Sequence, residues 1–149
     1  MKSIHYLSTL FIAALLSCIT VRAETPAAPL DSKSAAAAAE TFFAAYIKEL
    51  SKQATDHTAW VAKTKLATPE FKASFKKAMA DKNLEVDPVI DAQDVPITPF
   101  KAESTHVKGD AATVLVAGKY NEKEISRLQV TLVAKDGHWL IAKIARPKK

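Results

Sequence analysis

Glycine is nearly missing, with three in 149 residues: Gly109, Gly118 and Gly137. No glycine-rich phosphate cradle and no strained nucleophile elbow can be built from these, which sets aside dinucleotide and triphosphate chemistry. Cysteine is scarcer still. The single Cys18 lies inside the opening apolar stretch, so a chain that loses this stretch has neither a disulfide framework nor a thiol nucleophile. The histidines beyond it, His57, His106 and His138, fall in three separate segments without ligand spacing, and no metal site is predicted from them. Bases are spread along the chain apart from the tail Arg146-Pro147-Lys148-Lys149. Without an aromatic-interleaved basic stripe no nucleic-acid partner is expected, and no cofactor motif is present.

A membrane-spanning run is lacking too. From Ile4 to Ile19 the chain is apolar with small hydroxyls, shorter than the roughly 20 residues a spanning helix wants. Lys2 in front and Val21-Arg22-Ala23 behind give it the form of a leader. Two processings compete, beside retention of the stretch as an anchor. A cut after Ala23 makes residues 1–23 a signal peptide and the product periplasmic or secreted. Alternatively Leu15-Leu16-Ser17-Cys18 is a lipobox and Cys18 is lipidated, which ties the protein to a membrane; the bulky Leu16 fits that signal poorly. The first route removes Lys2 and Arg22 and no acid, which lowers the net charge from +5 to +3.

What is there reads as one domain. Residues 24–33, with Pro26 and Pro29, are predicted to be a flexible tether, and residues 34–149 a single α+β domain. Ser34 is a plausible N-cap for a helix running to about Ala54, with Ala39, Phe42, Phe43, Tyr46, Ile47 and Leu50 at three- and four-residue spacing. The segment 56–65, which holds Trp60, reads as loop or one short turn. Thr68-Pro69-Glu70 opens a second helix with Phe71, Phe75 and Met79 on one face; Asn83 is expected to end it in a left-handed conformation. Four strands follow. Phe100 to Val107 alternates Phe100, Ala102 and Ser104 against Lys101, Glu103 and Thr105. Ala112 to Tyr120 carries Val114 and Val116 opposite Leu115 and Ala117. Ile125 to Lys135 is the cleanest alternation, and Asp136-Gly137 turns into His138 to Ala145, with Trp139 and Ile141 opposite Leu140 and Ile144. Helices first, then strands joined by tight turns, give a long N-terminal helix and a second helix packed on a four-stranded antiparallel sheet.

Between the two halves lies LEVDPVIDAQDVPITPF, residues 84–100, with four acids and three prolines. Asp87 precedes Pro88, which favours extended geometry at Asp87 and leaves its side chain free to cap a turn from Pro88 to Ala92. Asp87 and Asp94 are expected to accept backbone amides while Val86, Val89, Ile90, Val95 and Ile97 enter the core. The competing reading makes Asp91, Gln93 and Asp94 the wall of a ligand pocket shared with Tyr46 and Trp60. Trp139, just past the hairpin, reads as core.

Three pieces in this order, Leu66-Ala67-Thr68-Pro69-Glu70-Phe71, Asp87-Pro88-Val89-Ile90-Asp91-Ala92-Gln93-Asp94 and Asp136-Gly137-His138-Trp139-Leu140-Ile141, resemble the bacterial envelope family called domain of unknown function 3828. The resemblance covers about residues 35 to 146. It implies a cystatin-like, nuclear-transport-factor-two-like fold, a curved antiparallel sheet wrapped round a long helix to leave a cone-shaped cavity. Some members of the family look like lipoproteins, and it has no assigned activity. Three functional expectations follow. The first is a non-enzymatic envelope module binding a small ligand, peptide or partner protein in the helix-sheet concavity. The second is an isomerase or hydrolase with Asp91 or Asp94 as general base and Tyr46 as hydrogen-bond donor. The third is a homodimer formed through an outer sheet face bearing Leu115, Val133 and Ile144.

Overall fold

Four alternating segments, each stopped by a turn, build one antiparallel sheet in the order β1 (Lys101–Lys108), β2 (Ala111–Lys119), β3 (Ile125–Lys135) and β4 (His138–Ala145). Three helices precede it: α1 (Ser32–Leu50), α2 (His57–Lys63) and α3 (Pro69–Met79). The protein is therefore an α+β domain with its helices packed on one face of the sheet. This is a computed structural model, and it describes residues 30–52 and 56–148. The leader, Cys18 and residues 24–29 of the expected tether lie outside the described residues.

The helix α1 starts earlier than its alanines suggest. Asp31, not Ser34, is the N-cap: its carboxylate accepts the Ser34 N–H at 2.7 Å, and Ser34 Oγ accepts the Asp31 N–H at 2.9 Å. The two residues form a reciprocal capping box in which a serine takes the place usually held by a longer acid or amide. Residues 32 and 33 consequently belong to the helix and Asp31 to its cap rather than to the tether, and the helix stops at Leu50 rather than Ala54. Its stripe Ala35, Ala39, Phe42, Phe43 and Tyr46 is wholly buried. Phe43 lies against Phe100 with ring centroids 4.6 Å apart, and Phe42 meets Phe71 edge-on at 5.7 Å. Burying an aromatic of this size is worth about 2–3 kcal/mol, so this stripe fixes the helix across the sheet.

Residues 57–63 are helical rather than loop, because Asp56 caps them through the Ala59 N–H at 3.0 Å and Val61 is buried. The start of α3 follows its sequence signal: Thr68 Oγ1 accepts the Phe71 N–H at 3.2 Å, with Pro69 at the first helical position. Its end does not. Asn83 is not left-handed; Ala80 closes the helix in right-handed geometry, and Asp81 holds the Asn83 N–H at 2.9 Å.

Two β-bulges change which side chains face the helices. In β1 the register shifts between Ala102 and Ser104, so Thr105 and Val107 pair across from the buried Val114 and Ala112 while Ser104 turns outward. In β4 the shift beside Thr131 places Ile144 opposite the buried Val130. Ile144 therefore joins the inner face with Trp139 and Ile141, not the outer face with Leu140. A bulge adds one residue to one strand and flips every later side chain. The outer face keeps Leu115 and Val133 among Thr113, Gln129 and Thr131, and the apolar trio expected for a homodimer is not assembled there.

Candidate functional site

The acidic junction folds around Asp87. One carboxylate oxygen accepts the N–H groups of Val89 at 2.8 Å and Ile90 at 3.1 Å; the other accepts the Tyr46 hydroxyl at 2.6 Å. The Asp91 N–H closes the turn onto the Asp87 carbonyl at 2.8 Å, and the Asp87 N–H reaches the Ala92 carbonyl at 3.0 Å. Capping of the turn from Pro88 to Ala92 by Asp87 is thus present as the sequence suggests. Asp91 stands at φ 53°, a left-handed conformation that aspartate tolerates better than most side chains, and Arg146 grips its carboxylate with both Nε and Nη2. Tyr46 has no exposed surface. Burial above all, then the Asp87 charge and the hydrogen bond to it, pushes its hydroxyl well above the ordinary tyrosine range.

The five expected pocket residues do not meet. Asp91, Gln93 and Asp94 come together with Tyr120 and Glu124 around a cleft of about 320 Å³. Gln93 Nε2 donates to the Glu85 carbonyl at 3.2 Å, and Asp94 is exposed. The Tyr120 hydroxyl donates to the Ile90 carbonyl at 3.1 Å and is pushed up to about 12, first by burial and then by the charges of Asp87, Asp91, Glu124 and Asp94. Tyr46 and Trp60 lie elsewhere, in the core, with ring centroids 5.7 Å apart. The general-base arrangement proposed from the sequence is not formed. Asp91 is held by a guanidinium, Asp94 faces water, and Tyr46 already donates to Asp87. Nor does Asp94 cap an amide among the described residues, and Val95 and Ile97, expected in the core, are 39% and 67% exposed.

The larger opening is at the other end of α1. A groove of about 650 Å³ lies between the first turns of α1, the Lys65-Leu66 link and the β3–β4 hairpin. Its floor is Ala37, Ala38, Leu66, Trp139 and Leu140, and Lys65 and Lys135 stand on its rim, both exposed. The indole N–H of Trp139 donates to Ser34 Oγ at 3.1 Å, which joins the helix start to the hairpin. Trp139 is 5% exposed and packs in the core as expected, and it also borders the groove. The Asp136-Gly137 turn takes φ 50° and 75° at its two central residues, the tight primed turn that such a pair favours. Sequence inspection misses this groove because its lining is alanine, leucine and backbone, and the one available signal, small residues on the flank of α1, also describes an ordinary alanine-rich helix.

No protein-family model matches the chain, and no curated protein matches it either. Solved structures do match. One chain of the type VI native effector-immunity complex Tae3-Tai3 from Ralstonia pickettii superposes with a TM-score of 0.58 at 19% identity, over 76% of this chain and 94% of that one. In the selenomethionine form of that complex the values are 0.59, 19%, 76% and 97%. A protein of unknown function from Bacteroides thetaiotaomicron gives 0.59 at 20% identity, over 76% of this chain and 90% of its own. At such identities the likeness establishes the shared α+β fold. No helix among the described residues is long and apolar enough to cross a membrane.

Proposed function

We propose that this protein is an exported envelope module that binds a partner protein without catalysing a reaction, and that the groove between α1 and the β3–β4 hairpin is its binding site. The observation that carries this reading is the groove itself: about 650 Å³, apolar on its floor, with Lys65, Lys135 and Asp136 at its rim. A concave apolar site with a few polar groups at the edge is the usual form of a binding pocket. The structural likeness to a chain of an effector-immunity complex adds support, since that fold occurs there in a protein bound to another protein. The leader read in residues 1–23 supports export to the periplasm.

The test is a photocrosslinking amino acid placed at the exposed Ala37 on the floor of the groove, and separately at Thr113 on the outer face of β2. A covalent adduct with one discrete protein from the Ala37 position and none from Thr113 is the expected result. Adducts from Thr113 alone would move the interface to the open face of the sheet. The intact mass of the exported protein tests the compartment: a chain beginning at Glu24 is expected, and a diacylglyceryl-modified Cys18 would replace it with a membrane-anchored form.

A further inference from the structure

In an antiparallel ladder, residues opposite one another alternate between exchanging both main-chain hydrogen bonds and exchanging none. The Asp136-Gly137 turn makes Lys135 and His138 a bonded pair, and Val133 with Leu140 the next. Trp139 and Ile141 therefore turn their N–H and C=O groups away from β3, toward the free edge of β4. For Ile141 this is seen directly. Its N–H donates to the Leu66 carbonyl at 2.9 Å, and its carbonyl accepts the Thr68 N–H at 2.9 Å, so the Leu66–Thr68 link lies on the edge as a short parallel strand. One step back toward the hairpin, the link bends at Lys65, and the Leu66 N–H donates to Thr64 Oγ1 at 3.3 Å rather than to the sheet. No hydrogen bond to the Trp139 main chain from this side is found among the described residues. The resulting gap in the edge opens into the groove.

The other sheet edge is guarded. In β1, Lys101, Glu103, His106 and Lys108 are exposed, a bulge interrupts the strand, and Glu40 reaches from α1 to accept the Ala102 N–H at 3.0 Å. Charged side chains and bulges are the ordinary means by which an edge avoids pairing. At Trp139 the flanking surfaces are Ala37, Leu66 and Leu140 instead.

Building on the groove reading above, we infer that the groove takes an extended segment of the partner protein, which pairs with the Trp139 main chain as an added strand. The segment donates one N–H to the Trp139 carbonyl, accepts the Trp139 N–H, and sets an apolar side chain against Ala37 and Ala38. Lys65 and Lys135 then select acidic residues on either side of that anchor. Main-chain pairing supplies affinity in this mode, and the alternating side chains supply specificity. The Leu66–Thr68 link shows that this edge accepts a strand, since a piece of the chain already occupies the next step.

Two measurements test it. In the free protein the Trp139 amide should exchange with deuterium much faster than those of Leu140 and Ile141; protection equal to theirs means that the edge is already closed and overturns the proposal. A phage-displayed library of random heptapeptides is then panned on the exported protein. Enriched peptides should alternate apolar and acidic residues and slow Trp139 exchange. They should bind about tenfold more weakly to the Lys65→Glu, Lys135→Glu double variant at low salt. N-methylation at one peptide position should abolish binding. Failure to enrich any sequence, or binders that leave Trp139 exchange unchanged, overturns strand pairing. If those binders are nonetheless lost in Ala37→Trp, the groove stands as a site with another mode of occupancy. If they persist in that variant, the groove reading falls as well.

Discussion

The Asp87 corner and the Trp139 groove sit at opposite ends of α1. Tyr46 reaches into one and Ser34 into the other, twelve residues or about 18 Å apart along the helix. The corner is rich in titratable groups, yet Asp87 meets two amides and a hydroxyl there and Asp91 meets a guanidinium. The groove is poor in such groups, and its main chain has pairing capacity left over. Reactive residue types are thus spent on holding the chain at its turn from helices to sheet, while open binding capacity lies among alanines and leucines. A search through acids and aromatics leads to the corner, at the opposite end of the helix from the groove.

The sharpest break of this comparison is Asp87→Ala. It removes the acceptor for the Val89 and Ile90 amides and leaves the Tyr46 hydroxyl, which has no exposure, without a partner. Stranding a buried donor costs its full desolvation, so the loss should be about 3 kcal/mol in a urea titration. Tyr46→Phe should lose only about 1 kcal/mol, because Asp87 keeps its amides and is part exposed to water. Equal losses from the two variants would mean that the amides contribute nothing and that the corner is not a cap.

Next in size is the alkaline limb of stability. Both Tyr46 and Tyr120 have raised values in the folded state, Tyr120 at about 12. A raised folded value gives stability that is complete below the unfolded value near 10 and is lost as pH climbs past it. Between pH 10 and 12 the unfolded chain ionises at Tyr46 while the folded chain does not, at a cost of about 1.4 kcal/mol per pH unit. Tyr46→Phe should remove that much of the slope in urea midpoints measured across the range. An unchanged slope would show that Tyr46 ionises freely in the fold.

Gly118→Ala sharpens the contrast from the sheet. A Cβ there would lie 3.1 Å from two carbons of the Phe100 ring, which also packs against Phe43 with centroids 4.6 Å apart. The ring has little room to retreat, so a loss of about 1–2 kcal/mol is expected, read as a lower thermal midpoint. A neutral result would mean that Phe100 can shift and that the packing of α1 on β1 is looser than it looks.

Much of this fold is legible in the sequence because the signals are local. The Thr68-Pro69-Glu70 start, the Asp136-Gly137 turn and the alternation of β3 each rest on neighbours a few residues apart. The bulges at Ala102/Ser104 and beside Thr131 are not legible, since they depend on how a strand must bend to keep its partner. At the site, the Asp87 cap was readable from Asp-Pro, whereas its bond to Tyr46 spans 41 residues and required the fold. The groove was unreadable for a different reason. It is defined by a link that leaves the β4 edge at Lys65, and no residue type announces where a chain departs.

The smallest expected effect separates two acids that the sequence groups together. Asp94 is exposed, borders the acidic cleft, and is followed by exposed side chains at Val95 and Ile97. With no amide to release and no buried donor to strand, Asp94→Ala should change stability by less than about 0.5 kcal/mol, as surface substitutions usually do. Urea titration beside Asp87→Ala decides the point. A loss for Asp94→Ala comparable to that for Asp87→Ala would mean that the second acid also holds the corner, and the division between a closed structural end of α1 and an open binding end would then need to be redrawn around a larger cap.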